Sequence, residues 1–344
     1  MSVEFGQDGR VGRIVLDRPR ALNALTHPML TAIGDALRAW ADDDSVRAVV
    51  LTGAGERGLC AGADIRVLHD DAKAGGEGAR AFFRDEYRLN LLISRYPKPY
   101  VAVMDGITMG GGVGLSAHGS VRIVTERSRV AMPETRIGLV PDVGGSRLLA
   151  RAPGELGTHL ALTSASMGPG DALLCGFADH YVPSAELPAL LAALADRTPA
   201  EALAGHTAEA PAADLAARRG WIDTCYAADT VEEILDRLDA VGDPDAKEAA
   251  EQIRGLSPTA LKVALAALRR ARTHTSLAET LDQEYLVSCA ALDSHDLVEG
   301  IRAQVVDKDR APKWRPATLA EVGGADVARY FTGPALRLDQ AWPA

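Results

Sequence analysis

Between Gly106 and Arg147 the chain reads GITMGGGVGLSAHGSVRIVTERSRVAMPETRIGLVPDVGGSR. This one stretch limits the fold more than any other. It holds two glycine-rich turns and two carboxylates, Glu134 and Asp142, each directly after a proline. Glycine turns bring bare main-chain N–H groups close to their surroundings. Acids set among such turns suit a small reacting group better than simple packing.

Around that stretch, strand and helix patterns alternate. RVGRIVLD (10–17) alternates with period two, and Arg18-Pro19 ends it. THPMLTAIGDALRAW predicts a helix capped by Thr26, with Met29, Ile33, Ala36, Leu37 and Trp40 as its apolar stripe. VRAVVLTG (46–53) is a buried strand, and GERGLCAGADI is a loop into a helix that Asp64 is placed to cap. RAFFRDEYRLNLLISRY (80–96) is a helix stopped by Pro97, and PYVAVMDG (99–106) is again a strand. This β, α, β, α, β order implies an α/β architecture. After about residue 145 only ADHYVP (178–183) reads as a strand, and the rest is alanine-rich helix. A looser segment is expected at 197–212. Ser257 followed by Pro258 predicts a capped helix over 257–271, and TSLAETLDQEYLVSCAAL predicts another. The expected division is a core over 1–198 and a helical C-terminal region over 199–344.

The net charge of -10 excludes the basic field that nucleic acid or an anionic membrane surface calls for. It leaves room for an anionic ligand held by a few local cations. No run of about 18 apolar residues is present. The beginning, MSVEFGQDGR, carries no apolar signal region. Cys60, Cys175, Cys225 and Cys289 form no C-x-x-C pair, so reduced thiols, no zinc site and a cytoplasmic location are expected.

Three apparent motifs fail. GLSAH (114–118) lacks the last glycine of a nucleophile elbow, so Ser116 reads as a small helix residue. Ser294-His295-Asp296 spells a triad, but sequence neighbours do not face one another as a triad requires, and Ser294 reads as a helix cap. The glycines at 110–114 match neither a dinucleotide fingerprint nor a P-loop.

GLCAGADI (58–65) and MGGGVGLS (109–116) survive. Each is a glycine turn running toward a helix, where N–H groups lack helical partners. Singly they are ordinary tight turns. Together they can form an oxyanion hole, with donors about 3 Å from an oxygen that gains charge in the transition state.

These two segments, with MPETRIGLVPDVGGSRLL, resemble the crotonase superfamily, which acts on acyl-CoA thioesters. FFRDEYRLN (82–90), SPTALK (257–262) and HDLVEGIRAQVVDKDRAPKWRPA (295–317) extend the resemblance to its 3-hydroxyisobutyryl-CoA hydrolase branch. The resemblance covers most of the chain and is least diagnostic around 200–250. It implies a crotonase-like spiral core of ββα units with a helical C-terminal region covering the site.

By that resemblance Ala63 and Gly111 supply the oxyanion N–H groups, and Glu134 is the acid of the Pro-Glu dipeptide. Hydratases of the superfamily carry another glutamate where this chain has Gly114. Asp142 is the branch's added acid. Its ordinary alternative is to cap the helix expected near Val143. Glu86 is by default a solvated helix charge, but the DEY match implies that it reaches the substrate pocket together with Gly114. Arg20, Ala21 and Leu22, from the loop Arg18–Leu25, are implied coenzyme A contacts, with Ala61 and Ile65 along the pantetheine path. Lys308 or Arg310 would meet a phosphate.

The expected activity is hydrolysis of a short 3-hydroxyacyl-CoA. The alternatives are an enoyl-CoA hydratase or isomerase, and a non-catalytic acyl-CoA binder. The expected partner is the small-molecule substrate, with no nucleic acid and no membrane, and a homo-oligomer is allowed. No metal or separate cofactor is expected, since coenzyme A is part of the substrate.

Overall fold

A computed structural model describes residues 2–341. The chain divides into two compact units that interleave in sequence. The first holds Met1–Ala63, Arg88–Ala131 and Met167–Asp214, and the second Asp64–Tyr87, Met132–Ser166 and Leu215–Ala344. The strands are β1 (Val3–Asp8), β2 (Val11–Leu16), β3 (Ala48–Gly53), β4 (Gly58–Cys60), β5 (Tyr100–Met104), β6 (Ile107–Met109), β7 (Val121–Val124), β8 (Arg129–Ala131), β9 (Ser166–Met167) and β10 (His180–Tyr181). The helices set among them include α1 (His27–Ala41), α2 (Ile65–Lys73), α3 (Glu77–Ser94), α4 (Gly111–Ser116) and α5 (Gly145–Arg151).

The first unit is built on a sheet of order β1-β2-β3-β5-β7-β10. Inner strands such as AVVL and YVAVM are buried throughout, as parallel strands covered on both faces must be. Ile14 pairs with Leu51, Leu51 with Ala102, and Val103 with Ile123, all in parallel register. β1 is antiparallel to β2, Val3 opposite Leu16. It is mostly exposed, so main-chain pairing rather than side-chain burial holds it, and its sequence carries no alternation to announce it.

Each of β3, β5 and β7 is followed within a few residues by a short strand, β4, β6 or β8. These short strands join a second sheet, of order β4-β6-β8-β9. This stepping is the ββα repeat. Alternate residues of the large sheet, among them Val11, Val50, Val101, Val103 and Ile123, pack with Leu187, Leu190 and Leu194 of helix Leu187–Leu194. Each such side chain contributes roughly 1.5–3 kcal/mol on burial. α1 buries Met29, Leu30, Ile33 and Leu37, while Ala36 and Trp40 of the expected stripe are only half-buried. Trp40 lies against Gly12, where a Cβ would come within 2.7 Å of the indole.

The second unit is chiefly helical. Ser257 caps helix Pro258–Ala271 by accepting from the Ala260 N–H at 3.1 Å. Ser276 caps Leu277–Leu292 and Ser294 caps His295–Ile301 in the same way. Two expected caps are corrected: Thr26 and Asp64 stand at the N-cap positions of α1 and α2, but neither side chain makes the capping bond. Ser116 is a buried residue of α4, its hydroxyl donating to the Gly112 carbonyl at 2.7 Å. The segment expected to be loose opens with a short helix, Pro199–Leu203, held by a capping box at Thr198, and is irregular after it.

Candidate active site

In the first unit the two glycine turns touch. Parallel pairing of β4 with β6 sets Cys60 beside Thr108. Gly62 has φ +101, and a Cβ there would stand 3.2 Å from the Met109 carbonyl oxygen and 3.5 Å from the Gly111 nitrogen. A Cβ on Gly112 would come within 2.4 Å of the Cys60 carbonyl oxygen. Only glycine permits this approach. Gly111 is the first residue of α4, so its N–H has no helical partner. Among the described residues, the Ala63 and Gly111 N–H groups donate to no main-chain acceptor. Gly114 is buried inside α4, its N–H donating to the Gly110 carbonyl.

The loop Arg18–Leu25 is stitched to the Ala63 turn. The Ala61 N–H donates to Leu22 at 3.0 Å, and the Leu25 N–H to Gly62 at 2.8 Å. Arg20, Ala21, Leu22 and Ala61 therefore form one neighbourhood. Leu22 and Asn23 both take left-handed backbone, at φ 53 and φ 55. Asn23 makes this possible: its amide donates to Ala54 and Gly58, and its side-chain oxygen accepts from the Arg18 N–H. Ile65 opens α2 and belongs to the other unit. In the first unit Asn90 and Thr108 are also fully buried, with polar side-chain atoms that have no hydrogen-bond partner among the described residues.

The acids lie in the second unit. Pro133 leads into the 3-10 turn Glu134–Ile137. The Thr135 hydroxyl anchors that turn, donating to Ala161 at 2.9 Å and meeting Ser164 at 2.7 Å. Gly300 lets helix His295–Ile301 press on it, since a Cβ there would be 2.5 Å from Ile137. Asp142 accepts a hydrogen bond from the Tyr87 hydroxyl at 2.7 Å, and that oxygen meets Ser288 at 2.8 Å. The alternative role of Asp142 as a side-chain cap is not met: α5 starts at Gly145, and the residue meets it through its carbonyl, which accepts from the Gly145 N–H. Glu86 is corrected from a solvated charge to a buried one, 2% exposed. Among the described residues, Glu86 Oε1 and Glu134 Oε2 are buried without a hydrogen-bond partner.

Residues 11–331 match the family described as enoyl-CoA hydratase/isomerase. This chain belongs to that family. The rat protein named 3-hydroxyisobutyryl-CoA hydrolase, mitochondrial, is 43% identical over 334 residues, covering 94% of this chain and 86% of the rat protein. A crystal structure described as a carnitinyl-CoA dehydratase from Mycobacterium thermoresistibile is 56% identical with TM-score 0.95, covering 97% of each chain. One of an enoyl-CoA hydratase from Rhodobacter sphaeroides 2.4.1 is 45% identical with TM-score 0.92, covering 98% of this chain and 99% of that one. The fold is thus crotonase-like, α/β with a helical C-terminal region.

Within this family member the acids perturb one another. Burial pushes Glu134 well above the ordinary carboxylate range, and the charges of Asp142, Glu284 and Glu86 push it further. Burial does the same to Glu86, with Asp142 adding to it. Burial lifts Asp142 to about 6, opposed by the Tyr87 hydrogen bond, which favours the charged form.

Sequence reasoning missed Glu284. It is 1% exposed and accepts from the Gly144 N–H, the Ser146 N–H and the Ser146 hydroxyl. The available signal was its spacing: Leu281, Glu284, Ser288 and Ala291 recur at three and four residues, so the carboxylate sits in an apolar stripe. Lys308 and Arg310 are exposed, both with left-handed backbone.

Proposed function

We propose that this chain hydrolyses the thioester of a short 3-hydroxyacyl-CoA, 3-hydroxyisobutyryl-CoA foremost, releasing the hydroxy acid and coenzyme A as a step of valine breakdown. The observation that carries the reading is the acid set: Glu134 and Asp142 are both buried and electrostatically linked, while α4 carries Gly114 where hydratases have their other glutamate. Addition of water to an enoyl group normally uses both glutamates. Hydrolysis needs one acid at the acyl carbon. The name of the rat relative supports the same activity.

In this mechanism the thioester oxygen accepts from the Ala63 and Gly111 N–H groups, which stabilise it as it becomes negative. The Glu134 carboxylate takes a proton from water while the hydroxide adds to the acyl carbon, or it adds to that carbon itself. The C–S bond then breaks and coenzyme A leaves as thiolate, to be protonated. In the second route water cleaves the resulting anhydride. Asp142 orients the water or binds the 3-hydroxyl. Glu86 and Gly114 bound the acyl group. Arg20, Ala21, Leu22, Ala61 and Ile65 hold coenzyme A. No further cofactor or metal is invoked. The free cysteines support a reducing compartment, the cytoplasm in our reading, although the rat relative is named mitochondrial.

The mycobacterial relative, described as a dehydratase, favours a second reading: water addition or removal at an enoyl-CoA. One assay separates them. The proposed enzyme releases free thiol from 3-hydroxyisobutyryl-CoA with no change in enoyl absorbance. Glu134→Gln keeps substrate binding and lowers kcat by about 10²–10⁴-fold. An absorbance change without thiol supports the second reading, and binding with neither signal identifies a non-catalytic binder.

A further inference from the structure

We propose that Glu284 and Ser288, one turn apart on helix Leu277–Leu292, are positioning residues that hold Asp142 from two sides; the inference rests on the catalytic role given to Asp142 above. The backbone just after Asp142 is unusual. Val143 has φ 53 and Gly144 has φ 80, so a β-branched residue is held in left-handed backbone. Such a conformation persists only where its surroundings over-determine it. Glu284 supplies that constraint. One of its oxygens accepts from the Gly144 N–H at 2.6 Å, the other from the Ser146 N–H at 3.1 Å and the Ser146 hydroxyl at 2.5 Å. These are the N-cap and first-turn donors of α5, which need an acceptor from outside the helix.

Ser288 acts on the carboxylate through the Tyr87 hydroxyl. The Tyr87 hydroxyl has one proton and gives it to Asp142 at 2.7 Å. The 2.8 Å contact with Ser288 must then be donated by the serine. Ser288 therefore decides which way the phenol proton points. Both side chains are buried, at 1% and 0% exposure, in a stripe where Leu281, Val287 and Ala291 are also buried. Packing alone has no use for a carboxylate and a hydroxyl there.

The test measures kcat, KM and thermal midpoint for Glu284→Gln, Ser288→Ala, Ser288→Thr and Asp142→Asn. Glutamine sets an amide N–H against a main-chain N–H, so the turn shifts. In Glu284→Gln kcat falls between about tenfold and about a hundredfold, with KM little changed. Ser288→Ala loses rate and Ser288→Thr, which keeps the hydroxyl, regains it. Adding Glu284→Gln to Asp142→Asn costs no further rate, because both act through one residue; a purely structural role would multiply the losses. If Glu284→Gln does not fold, the two Ser288 variants decide. Folded variants with wild-type kcat overturn the inference while an inactive Asp142→Asn leaves the catalytic reading standing. An active Asp142→Asn overturns the catalytic reading, and the inference with it.

Discussion

Replacing Asp142 with asparagine should stabilise this protein above neutral pH while removing its activity. Asp142 is 5% exposed, and burial lifts its carboxyl from 3.8 to about 6. An acid with a native pKa above its unfolded one binds its proton more tightly when folded. Its stabilising effect is full below about pH 3.8 and is lost as pH rises through about 6. A lift of this size corresponds to about 3 kcal/mol against the native state once the group is ionised. Asparagine has no proton to lose, so that cost disappears. Its side-chain oxygen still accepts from Tyr87, as that of the protonated acid does, and the preference of Tyr87 for the charged form is already contained in the native value. The expected gain is about 3 kcal/mol at about pH 8, shrinking to a few tenths of a kcal/mol at about pH 4. The charge of Asp142 also raises Glu134, so the substitution relaxes that residue in the same direction. Equilibrium urea unfolding of both proteins at the two pH values measures the difference. A variant less stable than wild type at the higher pH, or a gap that does not grow with pH, would refute the reasoning.

Three further expectations concern rate. Tyr87→Phe removes the hydroxyl that donates to Asp142 and orients it, so kcat falls by about tenfold or more; a wild-type kcat in a folded variant removes Tyr87 from the mechanism. Gly112→Ala drives a Cβ to within 2.4 Å of the Cys60 carbonyl oxygen and displaces the turn that carries Gly111. A loss of about 10²-fold in kcat is expected, and a wild-type rate in steady-state assays would end the oxyanion assignment. Because Glu134 is pushed well above the ordinary carboxylate range and must ionise to act, kcat/KM keeps rising with pH beyond the point where an ordinary carboxylate is fully ionised. A profile flat from about pH 5 to about pH 9 contradicts that requirement.

Much of the first unit is legible in the sequence alone. The apolar runs of β3 and β5, the period-two pattern of β2 and the stripe of α1 are local signals, and each became the element expected. The caps at Ser257 and Ser294 were readable for the same reason. The three-residue strands β4, β6 and β8 were not, because so few residues show no period. β1 escaped notice because main-chain pairing holds it and most of its side chains face solvent.

The amino-acid order by itself determined where glycine is required, which acids stand beside prolines, and to which family the chain is similar. These depend on residues close together in sequence. What each acid experiences was decided only by folding. Glu86 and Glu284 lie far along the chain from the pair Glu134 and Asp142, yet the charge of Asp142 raises the pKa of Glu86, Glu134 and Glu284 once all are buried. Loss of water around a carboxylate, and its pairing with a hydroxyl or an N–H, are properties of the packed interior, and no window of sequence contains them.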